Sequence, residues 1–375
     1  MSKLPNVGTT IFSVMSKLAT EHDAINLSQG FPNFPVDSVL TSILEKNATG
    51  NFHQYAPMPG NSNLLFAISK LITQSYGRTV SENDELLITA GATQAIFTTI
   101  MALINSHDEV VILDPSYDCY EPSVILAGGK PVRISLGNDF LPDWNLINDA
   151  VNAKTKLIIT NNPHNPSGRT WKESDMQQLE QLVEKHPQLL VLSDEVYEYI
   201  TFENKHISAH SRSALIEKSI VVSSFGKTFH ITGWKIGYIT APKHLLDEIK
   251  KVHQFNVFSV NSISQQCLAD YLSVTDVATL GEFYQQKRDL FRDLMSTSNF
   301  NLLPCEGTYF QTADYSKISN QSDVDFCKQL TTDVGVATIP ISVFNADQKD
   351  TKIIRFCFAK DEETLTKAAQ LLCKI

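Results

Sequence analysis

The chain has 375 residues, 42% of them hydrophobic and 19% charged. A chain this long and this apolar buries a large core, which excludes wholesale disorder and suggests two domains. Its 31 basic and 41 acidic residues leave a net charge of −10, which argues against nucleic acid or an anionic membrane as the main partner.

The N-terminus, MSKLPNVGTTIFSVMSKLATEHD, shows no long apolar core followed by a small-residue cleavage site, so a cytoplasmic protein is expected. Residues 1–45 fall outside the strand–helix series that follows and are expected to pack with a smaller domain. Short β-branched runs then alternate with helix-like stretches. The runs are ELLITA (85–90), EVVILD (109–114), KLIITN (156–161), QLLVLSD (188–194), SIVVSS (219–224) and KIGYIT (235–240). They read as strands buried on both faces. Helices are predicted over 93–104 and 173–186, the second with acidic residues in its first turn and Lys185 in its last. The alternation argues a mostly parallel sheet covered by helices. A charged helix over 281–295 follows. Strand-like segments come next at 307–313, 334–340 and 352–359, then a terminal helix. The expected division is therefore 46–272 for a large domain and 273–375 for a small α+β domain. The six cysteines (Cys119, Cys267, Cys305, Cys327, Cys357, Cys373) form no C-x-x-C pair, so no metal site is expected, and six free thiols suit a reducing cytoplasm.

Four motifs follow predicted strands. SSFGKTFHITGWKIGY (223–238) offers Ser224, Lys227 and Lys235 in one loop. A lone lysine after a strand is ordinarily a solvated surface group. Here a second cation, a hydroxyl and the permissive Gly226 and Gly233 accompany it. A lysine that carries an aldehyde cofactor beside a phosphate needs such neighbours: an amine that can be desolvated, and donors for a dianion. In LLVLSDEVYEYI (189–200), Asp194 ends an apolar strand and Tyr197 follows. Asp194 reads either as a capping carboxylate or as one pointing into the crevice at the strand's carboxyl end, where it could pair with a protonated pyridine nitrogen. TNNPHNPSGRTW (160–171) reads as a tight loop, in which Asn165 could also donate to a ring oxygen and a cis bond before Pro166 is compatible. LLITAGATQAIF (86–97) reads as a strand, then Gly91-Ala92-Thr93, then a helix whose free amides could seat a phosphate. It matches neither dinucleotide nor nucleoside-triphosphate loops, which argues against a dehydrogenase.

In order and spacing, these motifs resemble those of the class I, fold type I aminotransferases, which use pyridoxal 5'-phosphate. The resemblance runs from INLSQGFPNFP (25–35) to IIRFCFAKDEETL (353–365). SQGFPNFP (28–35), QYAPMPG (54–60) and DPSYDCY (114–120) are similar to the branch of methionine and kynurenine–glutamine transaminases, and SSFGKTFHITGWK, VHQFNVFSVN (252–261) and LPCEGTYF (303–310) resemble the bacterial methionine aminotransferases most closely.

The resemblance implies an α/β fold. A large domain with a mostly parallel seven-stranded sheet between helices is joined to a smaller α+β domain. It implies that Lys227 carries the cofactor and shuttles the proton, that Asp194 faces the pyridine nitrogen, and that Tyr197 and Asn165 hold the ring oxygen. Gly91, Ala92, Thr93, Ser224 and Lys235 would seat the phosphate. Many relatives have arginine in place of Lys235, so the charge is kept while bidentate geometry is lost. Tyr117 would stack on the ring. Arg355 would clamp the substrate carboxylate, and a surface strand arginine is the rival reading. A homodimer would share the site, with Tyr55 and Phe258 reaching over from the neighbouring subunit. Gly30, Phe31, Phe12 and Phe258 would line a pocket for a neutral side chain, although each phenylalanine also reads as core. The activity implied is ping-pong transfer of an amino group from methionine, an aromatic amino acid, glutamine or kynurenine to a 2-oxo acid. A cysteine-S-conjugate β-lyase and a non-catalytic ligand sensor on the same scaffold are the alternatives.

Overall fold

The computed structural model describes residues 2–375. The first helix, α1 (Ile11–Glu21), starts at Thr10, whose hydroxyl accepts from the Ser13 N–H at 3.3 Å. Strand β1 (Ile25–Asn26) follows, then α2 (Ser38–Ala48) and α3 (Ser62–Tyr76). The strand–helix series comprises β2 (Leu86–Thr89), α4 (Gly91–Leu103), β3 (Glu109–Asp114), β4 (Lys130–Ser135), β5 (Thr155–Asn161), β6 (Leu190–Asp194), β7 (Ser219–Ser224) and β8 (Gly237–Thr240). These strands form one seven-stranded sheet in the order β2-β8-β7-β6-β5-β3-β4. All neighbours pair parallel except β8, which runs antiparallel to both β2 and β7.

Alternate residues of the central strands enter different cores. Val111, Ile158, Val191 and Val221 join Leu179, Leu182 and Val183 of the helix Glu173–Lys185. Ile112, Ile159, Leu192 and Val222 join Ile96 and Ile100 of α4. Burying one such side chain contributes about 1.5–3 kcal/mol, which is why these runs carry no polar alternation. The sequence reading missed β4. Its KPVRIS residues are exposed or half-exposed except Ile134, and include Pro131, as suits the outer edge of a sheet.

The C-terminal part holds β9 (Asn301–Leu302), β10 (Phe310–Asp314), β11 (Val336–Ala337), β12 (Ile339–Pro340) and β13 (Ile353–Cys357). A four-stranded antiparallel sheet has the order β12-β13-β10-β9, and β11 instead pairs parallel with β1. Residues 1–45 divide in their packing. Met15 of α1 shares a core with Val336, Ile339 and Leu365. By contrast, Leu40 of α2 shares one with Leu64, Ile68 and Leu268 on the large-sheet side. Two polar contacts fix α2 there: Tyr271 donates to Asp37 at 2.7 Å, and Asn47 donates to Asp270 at 2.8 Å. Among the described residues, no helix is long and apolar enough to cross a membrane, and no three His, Cys, Asp or Glu side chains are grouped to hold a metal ion.

Candidate active site

The carboxyl ends of β2, β3, β5, β6 and β7 lie along one edge of the large sheet, where β8 begins. Open α/β sheets bind ligands at that edge. The motifs predicted from sequence follow these strands. Lys227 sits in the single helical turn Phe225–Thr228 directly after β7. Its Nζ donates to the Tyr309 hydroxyl at 3.0 Å and lies 3.5 Å from the Gly30 carbonyl oxygen. Burial, with Arg355 and Lys235 nearby, pushes its ammonium down to about 8.

Asp194 is the last residue of β6. Its Oδ2 accepts from the Tyr120 hydroxyl at 2.6 Å, and its Oδ1 accepts a long bond from the Val196 N–H at 3.4 Å. Burial lifts the carboxyl to about 6. A buried carboxylate held by a phenol and an amide, with Lys227 near but no cation in contact, has room for a protonated ligand to pair with it. Tyr197 is buried one turn on, its ring edge-to-face with Tyr309 at 5.2 Å. Burial raises its phenol well above the ordinary value.

Arg355 stands in the middle of β13 and is 1% exposed, which removes the surface-arginine reading. Its guanidinium lies 3.8 Å over the Phe310 ring and 5.4 Å from the Phe12 ring. Nη1 donates to Asn165 Oδ1 at 2.8 Å and Nη2 to the Ser28 carbonyl at 3.0 Å, while the buried Nε has no partner within the chain. Asn165 is held in turn by its own N–H, which donates to Asn161 Oδ1 at 2.8 Å, and the Asn165–Pro166 bond is cis.

At the other end of the cleft, α4 starts without a side-chain cap. A capping side chain would stabilise the helix by about 1 kcal/mol. Its absence leaves the first-turn amides of Gly91, Ala92 and Thr93 open to an anion. Gly91 has φ +77, and a Cβ there would stand 3.4 Å from the Lys235 ammonium. Lys235 itself holds a left-handed φ of +55, a conformation that costs on the order of 1 kcal/mol and is kept by its surroundings. Ser224 ends β7 nearby. Tyr117 and Thr93 share a hydroxyl hydrogen bond at 3.2 Å, which ties the expected stacking ring to the phosphate end.

Tyr55 and Phe258 lie together on the surface, 82% and 48% exposed, with ring centroids 5.6 Å apart. Phe12 packs on Phe344 at 5.7 Å. Phe31 is 41% exposed, and the Lys360 ammonium lies 4.6 Å from its ring and donates to its carbonyl at 2.8 Å. Gly30 accepts from the Tyr309 hydroxyl at 2.7 Å. The sequence reading missed Tyr120, Tyr309 and Lys360. All three lie inside quoted motifs: Tyr120 in DPSYDCY, Tyr309 in LPCEGTYF and Lys360 in IIRFCFAKDEETL, five residues after Arg355.

Residues 22–372 match the family described as Aminotransferase class I and II. The chain is 46% identical to the methionine aminotransferase of Escherichia coli over 99% of this chain and 97% of that protein. It is 33% identical to the kynurenine–oxoglutarate transaminase of Dictyostelium discoideum over 98% of this chain and 94% of that one. A crystal structure of an Escherichia coli protein with a methionine aminotransferase function superposes with a TM-score of 0.98 at 45% identity, covering 100% of this chain and 99% of that one. The N-succinyldiaminopimelate aminotransferase of Mycobacterium tuberculosis gives 0.95 at 32% identity, covering 100% and 99%. The chain belongs to the class I and II aminotransferases. It is a transaminase of fold type I.

Proposed function

We propose that this transaminase takes pyridoxal 5'-phosphate as cofactor, carried on Lys227, and moves the amino group of a neutral amino acid to a 2-oxo acid. Methionine and the aromatic amino acids are the foremost donors, with glutamine and kynurenine next. The observation that carries the reading is the convergence of a desolvated amine, a buried carboxylate with no cation in contact and an uncapped helix start on one sheet edge. Those three features fit the aldehyde, the ring nitrogen and the phosphate of that cofactor. The partnerless Nε of buried Arg355 fits the carboxylate of an amino acid.

When bound, the cofactor supplies an aldehyde and an electron-withdrawing ring that acidifies the substrate's α-carbon. Asp194 would keep a proton on the ring nitrogen, since an opposite charge within ~4–6 Å shifts such a pKa by ~1–3 units. Asn165 Nδ2 and the Tyr197 hydroxyl would donate to the ring oxygen. Gly91, Ala92, Thr93, Ser224 and Lys235 would hold the phosphate, and Tyr117 would cover one face of the ring. Arg355 would bind the substrate carboxylate through its planar fork. Lys227, as a free amine, would take the α-proton of the donor and hand it to the cofactor's former aldehyde carbon, and would run the same transfer in reverse with the oxo acid.

The exposed pair Tyr55 and Phe258 supports a homodimer in which each subunit lends these rings to its neighbour's site. Phe12, Phe31 and Phe258 would then offer an aromatic lining, which favours methionine sulfur by ~0.3–1.5 kcal/mol per contact. Four buried and two half-buried free cysteines agree with work in the reducing cytoplasm. The test is a donor series at fixed oxo acid: kcat/KM for methionine and phenylalanine should exceed that for aspartate at least tenfold. A preference for aspartate would overturn the neutral pocket.

A further inference from the structure

Tyr309 belongs to none of the roles above, yet its hydroxyl is the nearest side-chain partner of Lys227, at 3.0 Å from Nζ. We propose that Tyr309 is a positioning residue: its hydroxyl holds the amine of Lys227, whenever that amine is free, in the orientation that receives the substrate proton. The proposal rests on the reading of Lys227 given under Proposed function.

The hydrogen-bond inventory directs the geometry. A phenol has one proton to give and oxygen lone pairs to accept with. Tyr309 gives its proton to the Gly30 carbonyl at 2.7 Å, so the lone pairs face Lys227. A neutral amine has two N–H bonds and one lone pair. One N–H is held by Tyr309, the second points to the Gly30 carbonyl at 3.5 Å, and the lone pair stays free to accept a proton. Taking that proton makes an ammonium, and giving it up restores the amine, so no other reactant is consumed. Burial raises the Tyr309 phenol well above its ordinary value, which keeps the hydroxyl neutral and able to donate and accept together.

The hydroxyl is also fixed. Tyr309 is 0% exposed, and its carbonyl accepts from the Phe358 N–H at 3.0 Å. Its ring is packed by Tyr197 at 5.2 Å, Phe310 at 4.8 Å and Tyr284 at 5.7 Å. The preceding Thr308 is pinned through its N–H to the Ile200 carbonyl at 2.8 Å. A positioning group held this way spends no ordering entropy during the reaction. The other titratable groups facing Lys227 are Tyr197 just after β6, with its ring 5.8 Å away, Cys357 and Arg355 on β13, Asp194 on β6 and Lys235 ahead of β8.

The test compares Tyr309→Phe with Tyr284→Phe in the holoenzyme. The second variant removes a neighbouring buried phenol whose hydroxyl bonds His230 at 2.7 Å instead of Lys227. Tyr309→Phe should keep its bound cofactor and a methionine KM within about threefold of wild type, yet lose at least tenfold in kcat. Tyr284→Phe should stay within about threefold in both. A second readout is the rate at which cofactor-free protein captures added pyridoxal phosphate as a function of pH. Losing an acceptor from the ammonium should move that midpoint about half a unit to lower pH in Tyr309→Phe alone. An unmoved midpoint, a kcat within threefold of wild type, or equal losses in the two variants would overturn the proposal. Lys227→Ala separates the two readings: if it still captures the cofactor with an unchanged visible band, the assignment of Lys227 fails, whatever Tyr309 does.

Discussion

Lys227 is ordinary in type and unusual in place: its ammonium is pushed from 10.5 down to about 8, chiefly by burial. The sign of the consequence is fixed. Between about pH 8 and 10.5 the unfolded chain binds a proton that the folded chain does not, so stability rises with pH through that window. Below pH 8 the folded protein bears the whole cost of the buried charge. Lys227→Met keeps the length and removes the charge. The ammonium is desolvated but the residue keeps some exposure, so about 1 kcal/mol is expected after screening. Cofactor-free Lys227→Met should therefore melt roughly 1–2 °C above wild type at pH 7, with the gap closing as the pH nears 10. Differential scanning calorimetry across that range checks it, and a gap that does not change with pH contradicts the buried-charge account. Asp194 shows the matching logic with opposite charge. Its carboxyl is lifted to about 6 by burial while Tyr120 pulls it down, and the balance leaves a group that a cationic ring would complete.

At the scale of elements, the site is a set of strand ends, and its weakest tolerance is where β8 meets α4. A Cβ on Gly237 would stand 2.7 Å from the Ser223 carbonyl and 3.1 Å from the Ala92 nitrogen. Gly237→Ala must therefore push β8 away from β7 or from the α4 start. We expect a loss of about 1–3 kcal/mol, the usual cost of overpacking, with weaker cofactor binding beside it. Thermal melts and a pyridoxal phosphate titration measure both, and an unchanged melt would contradict the close approach. The same strands show what the sequence could tell. Six of the seven strands were legible because continuous β-branched runs mark strands covered on both faces. β4 was not, since Pro131 and Arg133 at an open edge break that signature. Nor was the reversed direction of β8, because strand composition carries no direction. Asp194 was legible as the carboxylate that ends such a run, and Lys227 and Asn165 as polar residues straight after one. Tyr120 and Tyr309 were not, because buried tyrosines read as core, and their bonds to Asp194 and Lys227 span 74 and 82 residues.

At the scale of the molecule, one chain presents Tyr55 and Phe258 outward, where a second copy would cover them. If each site borrows Tyr55 from its neighbour, two inactive variants should rescue each other. Lys227→Ala and Tyr55→Ala homodimers, unfolded together and refolded as an equal mixture, should regain about a quarter of wild-type activity, because half the dimers are mixed and each mixed dimer carries one intact site. No regain, with mixed dimers shown to form, would place Tyr55 outside the shared site. The account as a whole rests on Lys227 carrying a cofactor that exchanges amino groups. The visible absorption of the purified protein, followed while single amino acids are added without an acceptor, tests it most directly. The account predicts a cofactor band that methionine or an aromatic amino acid bleaches and a 2-oxo acid restores. No band, even after pyridoxal phosphate is added, would contradict it.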